Sequence, residues 1–250
     1  MNRPAPRTFT VLGKHPVTPR MLRVSLGGEG LESFPDDQAS AYVKLMFPVD
    51  GRERPLLRTY TVRAQRSDAI DIDFALHGAD GGGPASGWAL NCQPGDRIDI
   101  GGPGPKKLAD AEADFVLMVG DMTALPAISV NLEQLPASAQ GRVIVEVPHE
   151  EDIQPLSKPE RVDLQWVINP TPGQATPLVE AVAALAWPHG RVAVWAACEF
   201  TSMRALREHF RHERGVERTD MYISSYWKQG SDEDNHKSLK RADAEADGNA

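Results

Sequence analysis

Residues 58–63 read RTYTVR, a cation, a phenol and two hydroxyls set into what is otherwise a β-type run. A strand that lies against a core favours valine, isoleucine and leucine. Arginine, tyrosine and threonine offer instead a bidentate anion clamp, a flat ring with a polar tip and short hydrogen-bonding groups. Further along, HGADGGGPASGWAL (77–90) runs three glycines into Pro84, Ala85, Ser86 and Gly87. A helix starting there offers unshielded backbone amides to a pyrophosphate, although the stretch alone fits a flexible hairpin loop equally. Taken together, the arginine, the tyrosine and the helix start suit a flavin dinucleotide, with Thr61 on the other side of the pleat from Tyr60 and left for local hydrogen bonds.

Composition narrows the classes. The chain has 250 residues, 41% hydrophobic and 25% charged, which is globular and long enough for two modest domains. A formal net charge of −8 excludes a general nucleic-acid binder, so any anionic ligand needs a local basic pocket. Two cysteines, Cys92 and Cys198, are too few for an iron–sulfur cluster and are not spaced for zinc. MNRPAPRTFTVLG lacks a signal-peptide apolar core and no run is long enough for a membrane span, so a soluble cytoplasmic protein is expected.

The elements that must position these residues fall into two halves. RTFTVLGKHPVT, RMLRVSLGG, AYVKLMFPVDGRERP, LLRTYTVRAQ, AIDIDFALHG and DRIDIGGPGP are short, nearly alternating runs divided by glycine, proline and aspartate turns, which predicts a six-stranded antiparallel barrel over residues 1–110. Beyond it, FVLMVG, RVIVEV, LQWVI and RVAVWAA are continuous apolar runs alternating with helical segments ALPAISVNLEQL, PLVEAVAALAW and TSMRALREHFRHER, the last expected to keep its arginines on the solvent side. That alternation predicts a parallel-sheet, nucleotide-binding-like α/β domain over 111–250. The tail from Ser231 reads as a solvated helix or a disordered end.

VGDMTALPA (119–127) sits where a parallel strand turns into a helix: Gly120 permits a tight turn, Asp121 and Thr123 can cap, and Pro126 suits a first turn. An ordinary strand-to-helix turn has the same composition. GGPGPKK closes the barrel half and is no Rossmann fingerprint. His209 and His212 lack partners at metal spacing and are expected to face solvent, Cys198 is expected to be a buried small hydrophobe, Trp166 and Trp195 are expected in the core, and no GxSxG is present.

RTYTVR, His77 with GGGPASGWA, Gly95-Asp96, GGPGPKK, GDMTALPA, WAACEFTSMRALREHF and YWKQGSDEDNH occur in that order from about Thr8 to His236. In this the chain resembles the siderophore-interacting proteins, flavin-dependent ferric-siderophore reductases of the ferredoxin–NADP reductase-like superfamily. The resemblance implies FAD on the barrel, held by Arg58, Tyr60 and Thr61, flanked by Arg63 and His77, with Gly83, Ala85, Ser86 and Trp88 in the phosphate loop. It implies Asp121, Thr123 and Ala124 on the nicotinamide side, with NADH, NADPH or, in some members, ferredoxin as donor.

An anionic ferric siderophore needs convergent cations, and the places matching the family's basic residues are Lys44, Lys106 or Lys107, and Lys228. HEEDIQPL after the second parallel strand carries Glu150, Glu151 and Asp152, acids that favour the free 2′-hydroxyl of NADH or form a solvated loop. The resemblance requires no protein metal ligand and no general acid or base. The alternatives are a flavin reductase serving a redox protein and a non-catalytic siderophore carrier.

Overall fold

The computed structural model describes residues 5–48, 51, 53–76, 83–231 and 233–248. The chain divides into two compact units, one holding the residues up to Lys107 with Ser129–Asn131, the other Leu108–Ile128 with Leu132–Ala250.

The first unit contains β1 (Arg7–Thr18), β2 (Met21–Gly27), α1 (Glu29–Glu32), β3 (Tyr42–Phe47), β4 (Leu56–Gln65), β5 (Ile70–Ala75), α2 (Pro84–Asn91) and β6 (Arg97–Gly101). Its six strands form a closed barrel in the order β1-β2-β5-β4-β3-β6, every pair antiparallel. Closure is made where Arg7 to Thr10 pair with Ile100 to Arg97, which leaves the sheet without an edge. Alternate residues fill the interior: Phe9, Val11, Val24, Leu26, Val43, Leu45, Val62, Ile72, Phe74, Ile98 and Ile100 are buried in one cluster. Strand β5 is buried along its whole length, so its two aspartates need partners. Arg23 donates to Asp73 from Nε at 2.6 Å and Nη2 at 2.8 Å, while Ser25 and Arg66 bond Asp71.

The second unit contains β7 (Phe115–Asp121), α3 (Leu125–Gln134), β8 (Gly141–Val147), β9 (Val162–Ile168), α4 (Pro177–Ala183), β10 (Val192–Glu199), α5 (Phe200–Glu208), β11 (Met221–Trp227) and α6 (Glu233–Ala246). The strands form a parallel sheet in the order β11-β10-β7-β8-β9. Order reverses beside β7, and in such sheets ligands lie beyond the carboxyl ends of the strands at that reversal. Among the described residues, no helix is long and apolar enough to cross a membrane.

Several sequence expectations are corrected. PLVEAVAALAW is helical only to Ala183. Trp195 is fully buried as expected, whereas Trp166 is only half-buried on edge strand β9. The arginines after α5's start do not all face solvent: Arg207 is 13% exposed and Arg211 17%. Arg207 bonds Asp243 at 2.7 and 3.0 Å, and Arg211 bonds Asp247 at 2.6 Å, so α6 is clamped onto α5 and its π-helical extension His209–Glu213. The tail is therefore a docked helix. His209 is buried, its Nδ1 bonded to Glu213 and its Nε2 accepting from Arg214 Nε, whereas His212 is exposed as expected.

Breaking a largely buried ion pair by removing one partner costs about 3–5 kcal/mol. Asp243→Ala is expected to destabilise the docking of α6 by an amount of that order, read as faster amide exchange across 235–246 with the barrel's protection retained.

Candidate functional site

On the barrel, β4 carries the opening motif. Arg58, Tyr60, Thr61 and Arg63 are all half-buried, unlike Val62 between them, which is in the core. By register Tyr60 lies beside Val43 and Arg58 beside Leu45, while Lys44, half-buried, pairs with Thr59 and Gly101 on the opposite pleat. The Tyr60 ring rests on Phe74 at 4.5 Å between centroids, and Phe74 contacts Trp88 at 5.9 Å, which contacts Phe47 at 5.9 Å. Strand β4 and helix α2 are thus joined through aromatic rings, and Tyr60 and Trp88 are brought to one neighbourhood.

Helix α2 begins at Pro84, has Gly83 as N-cap with no side-chain cap, and has no acid in its first turn. A glycine N-cap brings no side-chain acceptor to the helix's first amides. Ala85 and Ser86 turn their side chains inward, the Ser86 hydroxyl reaching the Ala75 carbonyl at 3.5 Å, so they have only backbone amides to offer a ligand. A Cβ at Gly83 or Gly87 would meet nothing within 4 Å. Glycine inside a helix costs roughly 1 kcal/mol against alanine, so open space at Gly87 is the shape of a surface kept low for an approaching group. His77 lies outside the described residues.

The lysines differ in what they touch. Lys106 is bonded to Asp37 at 2.8 Å, Lys107 is exposed, and Lys228 Nζ stands 4.9 Å from the centroid of the Phe200 ring.

On the parallel sheet, Asp121 ends β7 and is buried. Its carboxylate accepts from the Thr123 amide at 2.9 Å, from the Thr123 hydroxyl, and from Trp227 Nε1 at 2.7 Å. Burial pushes its pKa up against those bonds. Ala124 is buried under Gly120, where a Cβ would come within 2.8 Å of the Ala124 methyl carbon; this, rather than the turn, makes Gly120 necessary. Thr123 is half-buried. Glu150 and Glu151 are exposed and Asp152 is buried.

Sequence reasoning missed two buried acids on the same edge. Glu199 caps α5 through the Thr201 and Ser202 amides. Glu146, opposite Asp121 in register, has one carboxylate oxygen without a hydrogen-bond partner. Its pKa is raised to about 7, first by burial, against a bond from Asn169 and with the fields of Asp121 and Glu199 adding to the rise. Cys198 is buried among these acids, and burial with their charge lifts its pKa well above the usual thiol value, so it stays a thiol.

A closed antiparallel barrel bearing a basic aromatic strand and a helix with a glycine N-cap, followed by a parallel sheet with its order reversal beside β7, is the fold of the ferredoxin reductases. The likeness to ferredoxin–NADP+ reductase from Plasmodium falciparum, with TM-score 0.67 over 88% of this chain and 96% of that one at 10% identity, shows that fold. Residues 10–55 and 49–107 match the siderophore-interacting FAD-binding domain, and residues 113–230 match the siderophore-interacting protein model. The chain is 36% identical over 251 residues to the ferric vibriobactin reductase ViuB of Vibrio cholerae, covering 92% of each. It is 37% identical to the siderophore-interacting protein SipS from Aeromonas hydrophila, with TM-score 0.86 over 96% of this chain and 98% of that one. The chain belongs to the siderophore-interacting protein family, and its barrel is that family's FAD-binding domain. The residues present fit the cofactor: the space over Gly83 and Gly87 is open, the glycine N-cap of α2 brings no side-chain acceptor to its first amides, and β4 carries half-buried arginines, which are the kinds of group a diphosphate takes.

Two outcomes are expected. Gly87→Leu fills the cradle, so FAD affinity falls by roughly tenfold to a hundredfold, while the apoprotein is as stable as the parent or more so. Flavin fluorescence titration and thermal unfolding of the apoprotein check both. For Glu146 the folded pKa lies above the unfolded one, so the folded state holds the extra proton and stability declines as pH rises from 4.5 to about 7. Glu146→Gln removes that slope: its urea midpoint matches the parent's near the bottom of the window and exceeds it above the top, by on the order of 3 kcal/mol in stability.

Proposed function

We propose that this chain is a cytoplasmic FAD-dependent reductase of ferric siderophores, with NADH, NADPH or a ferredoxin supplying the electrons. The observation that carries the reading is the match of both units, over nearly the whole chain, to proteins named for ferric-siderophore reduction and siderophore interaction. Bound FAD supplies the exchange between a two-electron hydride donor and a one-electron acceptor.

The protein's own part is binding and placement. Arg58 neutralises the cofactor diphosphate together with the amides at the start of α2, and Arg63 flanks the cofactor. Tyr60, already seated on Phe74, presents a ring to a flat heterocycle and a hydroxyl to a polar atom on it; Trp88 holds the phosphate helix against the same aromatic group. Thr61 supplies a short hydrogen-bonding group on the far pleat. Asp121 and Ala124 act on the nicotinamide side by shaping the turn through which Thr123 is presented, since both are buried.

Lys44, Lys107 and Lys228 are the proposed cations for the anionic iron complex, since a chain of net charge −8 needs local positive charge to hold an anion. Lys106 is weaker in that role because its ammonium is bonded to Asp37. The substrate Fe(III) arrives wrapped in hard oxygen donors, and as Fe(II) it is held less tightly by them and leaves. No side chain has to move a proton at a reacting atom.

Anaerobic stopped-flow on FAD-loaded protein tests the reading. Bleaching of the flavin by NADH or NADPH, recovery of colour on adding a ferric tris(catecholate), and trapping of Fe(II) by a chelator are expected. Bleaching by neither nucleotide, with chemically reduced protein still reducing the iron, assigns the donor to a redox protein. Purified protein that binds no FAD yet binds the ferric complex makes it a carrier and overturns the reductase.

A further inference from the structure

Strand β11 slips in register just before Lys228. Cys198 opposes Ser225 and Glu199 opposes Trp227, which leaves Tyr226 as an extra residue. A bulge of this kind re-aims the side chains around it. Here Trp227 Nε1 reaches Asp121 at 2.7 Å, and Lys228 comes to stand over Phe200.

The support beneath that lysine is built from both directions. The Glu199 carboxylate accepts from the Gln229 amide at 3.2 Å through one oxygen and from the Thr201 and Ser202 amides through the other. One buried group therefore fixes the residue after Lys228 and the helix start that carries Phe200. The Phe200 ring is 7% exposed and meets His236 edge-on at 6.2 Å, and His236 is held by Ser225 at 2.8 Å. Burial and the neighbouring Lys240 push the His236 pKa down to about 4, so the imidazole beside the ring is neutral at working pH.

We propose that Phe200 is a positioning residue for the siderophore: its ring seats the Lys228 ammonium in one place without neutralising it, ready for an anionic ferric complex. A carboxylate partner would fix the lysine equally well and cancel its charge, as Asp37 does for Lys106. The inference rests on the reductase reading and adds the element that makes Lys228 selective for anions.

The test uses FAD-loaded oxidised protein and two probes, the trianionic ferric tris(catecholate) and the neutral ferric complex of acetohydroxamate, each titrated by fluorescence quenching. Phe200→Leu is expected to lower the preference for the trianion over the neutral complex about fivefold, Phe200→Tyr to restore it to within about twofold, and Phe200→Leu with Lys228→Ala to fall no further than Lys228→Ala alone. Phe200→Met, which keeps bulk without a ring, gives the same reading where the leucine variant does not accumulate. Equal weakening of both probes by Phe200→Leu, or additivity with Lys228→Ala, makes the ring a packing residue and overturns the proposal. Loss of anion preference in Lys228→Ala but not in Phe200→Leu sinks this inference alone. An unaltered preference in Lys228→Ala removes Lys228 from the substrate site and takes the inference with it.

Discussion

A carboxylate buried at the end of a parallel strand must be given donors by its neighbours, and the carboxyl edge of the second unit is organised by that requirement. Asp121 takes two donors from Thr123 and a third from Trp227, two strands away across β10. For the indole to reach it, β11 must gain a residue relative to β10, and the register slip at Tyr226 supplies that residue. The bulge then determines where Lys228 emerges, and Glu199 fixes the turn that follows. The close packing of Gly120 on Ala124 and Ile128 is part of the same constraint, since any side chain there would push α3 away from the strand end that carries Asp121.

The barrel meets the problem of buried charge differently. Asp71 and Asp73 on β5 are matched by Arg23, Arg66 and Ser25, and the Asp71 pKa is lowered: burial alone would raise it, but the bonds from Arg66 and Ser25 and the fields of Arg66 and Arg23 outweigh that. The bonds given to Asp121 and Glu146 come instead from neutral donors, Thr123 and Trp227 for the first and Asn169 for the second, and their pKa values rise. The contrast separates a structural use of acids, paired and ionised, from a sheet edge where acids are held by neutral donors. One oxygen of Glu146 is left without a partner, a cost of the kind that functional regions sustain and structural ones avoid.

The six barrel strands were legible because each run alternates and each break is chemically explicit, so period and turn chemistry agree. The parallel strands were legible as continuous apolar runs for the opposite reason, both of their faces being covered. The docking of the tail was not: Arg207 and Asp243 are 36 residues apart, and a charged helix read alone looks solvated whether or not another charged helix covers it. His209 was misread on the same ground, because the π-helical turn that buries it has no signature in HFRHE. Strand β11, quoted only as part of YWKQG, was hidden by its serines and tyrosines, which lie against α6 and β10 rather than in an apolar layer. Of the residues with chemical side chains, those in RTYTVR and GGGPASGW stood out because glycine and aromatic patterns mark them. Glu146 could not, since an acid inside RVIVEV reads only as a broken run.

The lysines show why counting charge was insufficient. In an acidic chain a lysine is useful to an anion only in proportion to the field it retains, and that depends on its partner. Lys106 is bonded to a carboxylate and contributes almost no net field beyond its own pair. Lys228 is held by the face of an aromatic ring, whose quadrupole attracts the ammonium without cancelling its charge, and the histidine in edge contact with that ring is kept neutral by burial. A second positive charge on that histidine would gain attraction for the anion at the expense of repelling Lys228 from its seat; a carboxylate in place of Phe200 would gain rigidity at the expense of the field. An aromatic ring backed by a neutral imidazole retains both the position and the charge, which is the combination that capture of an anionic complex by an acidic protein requires.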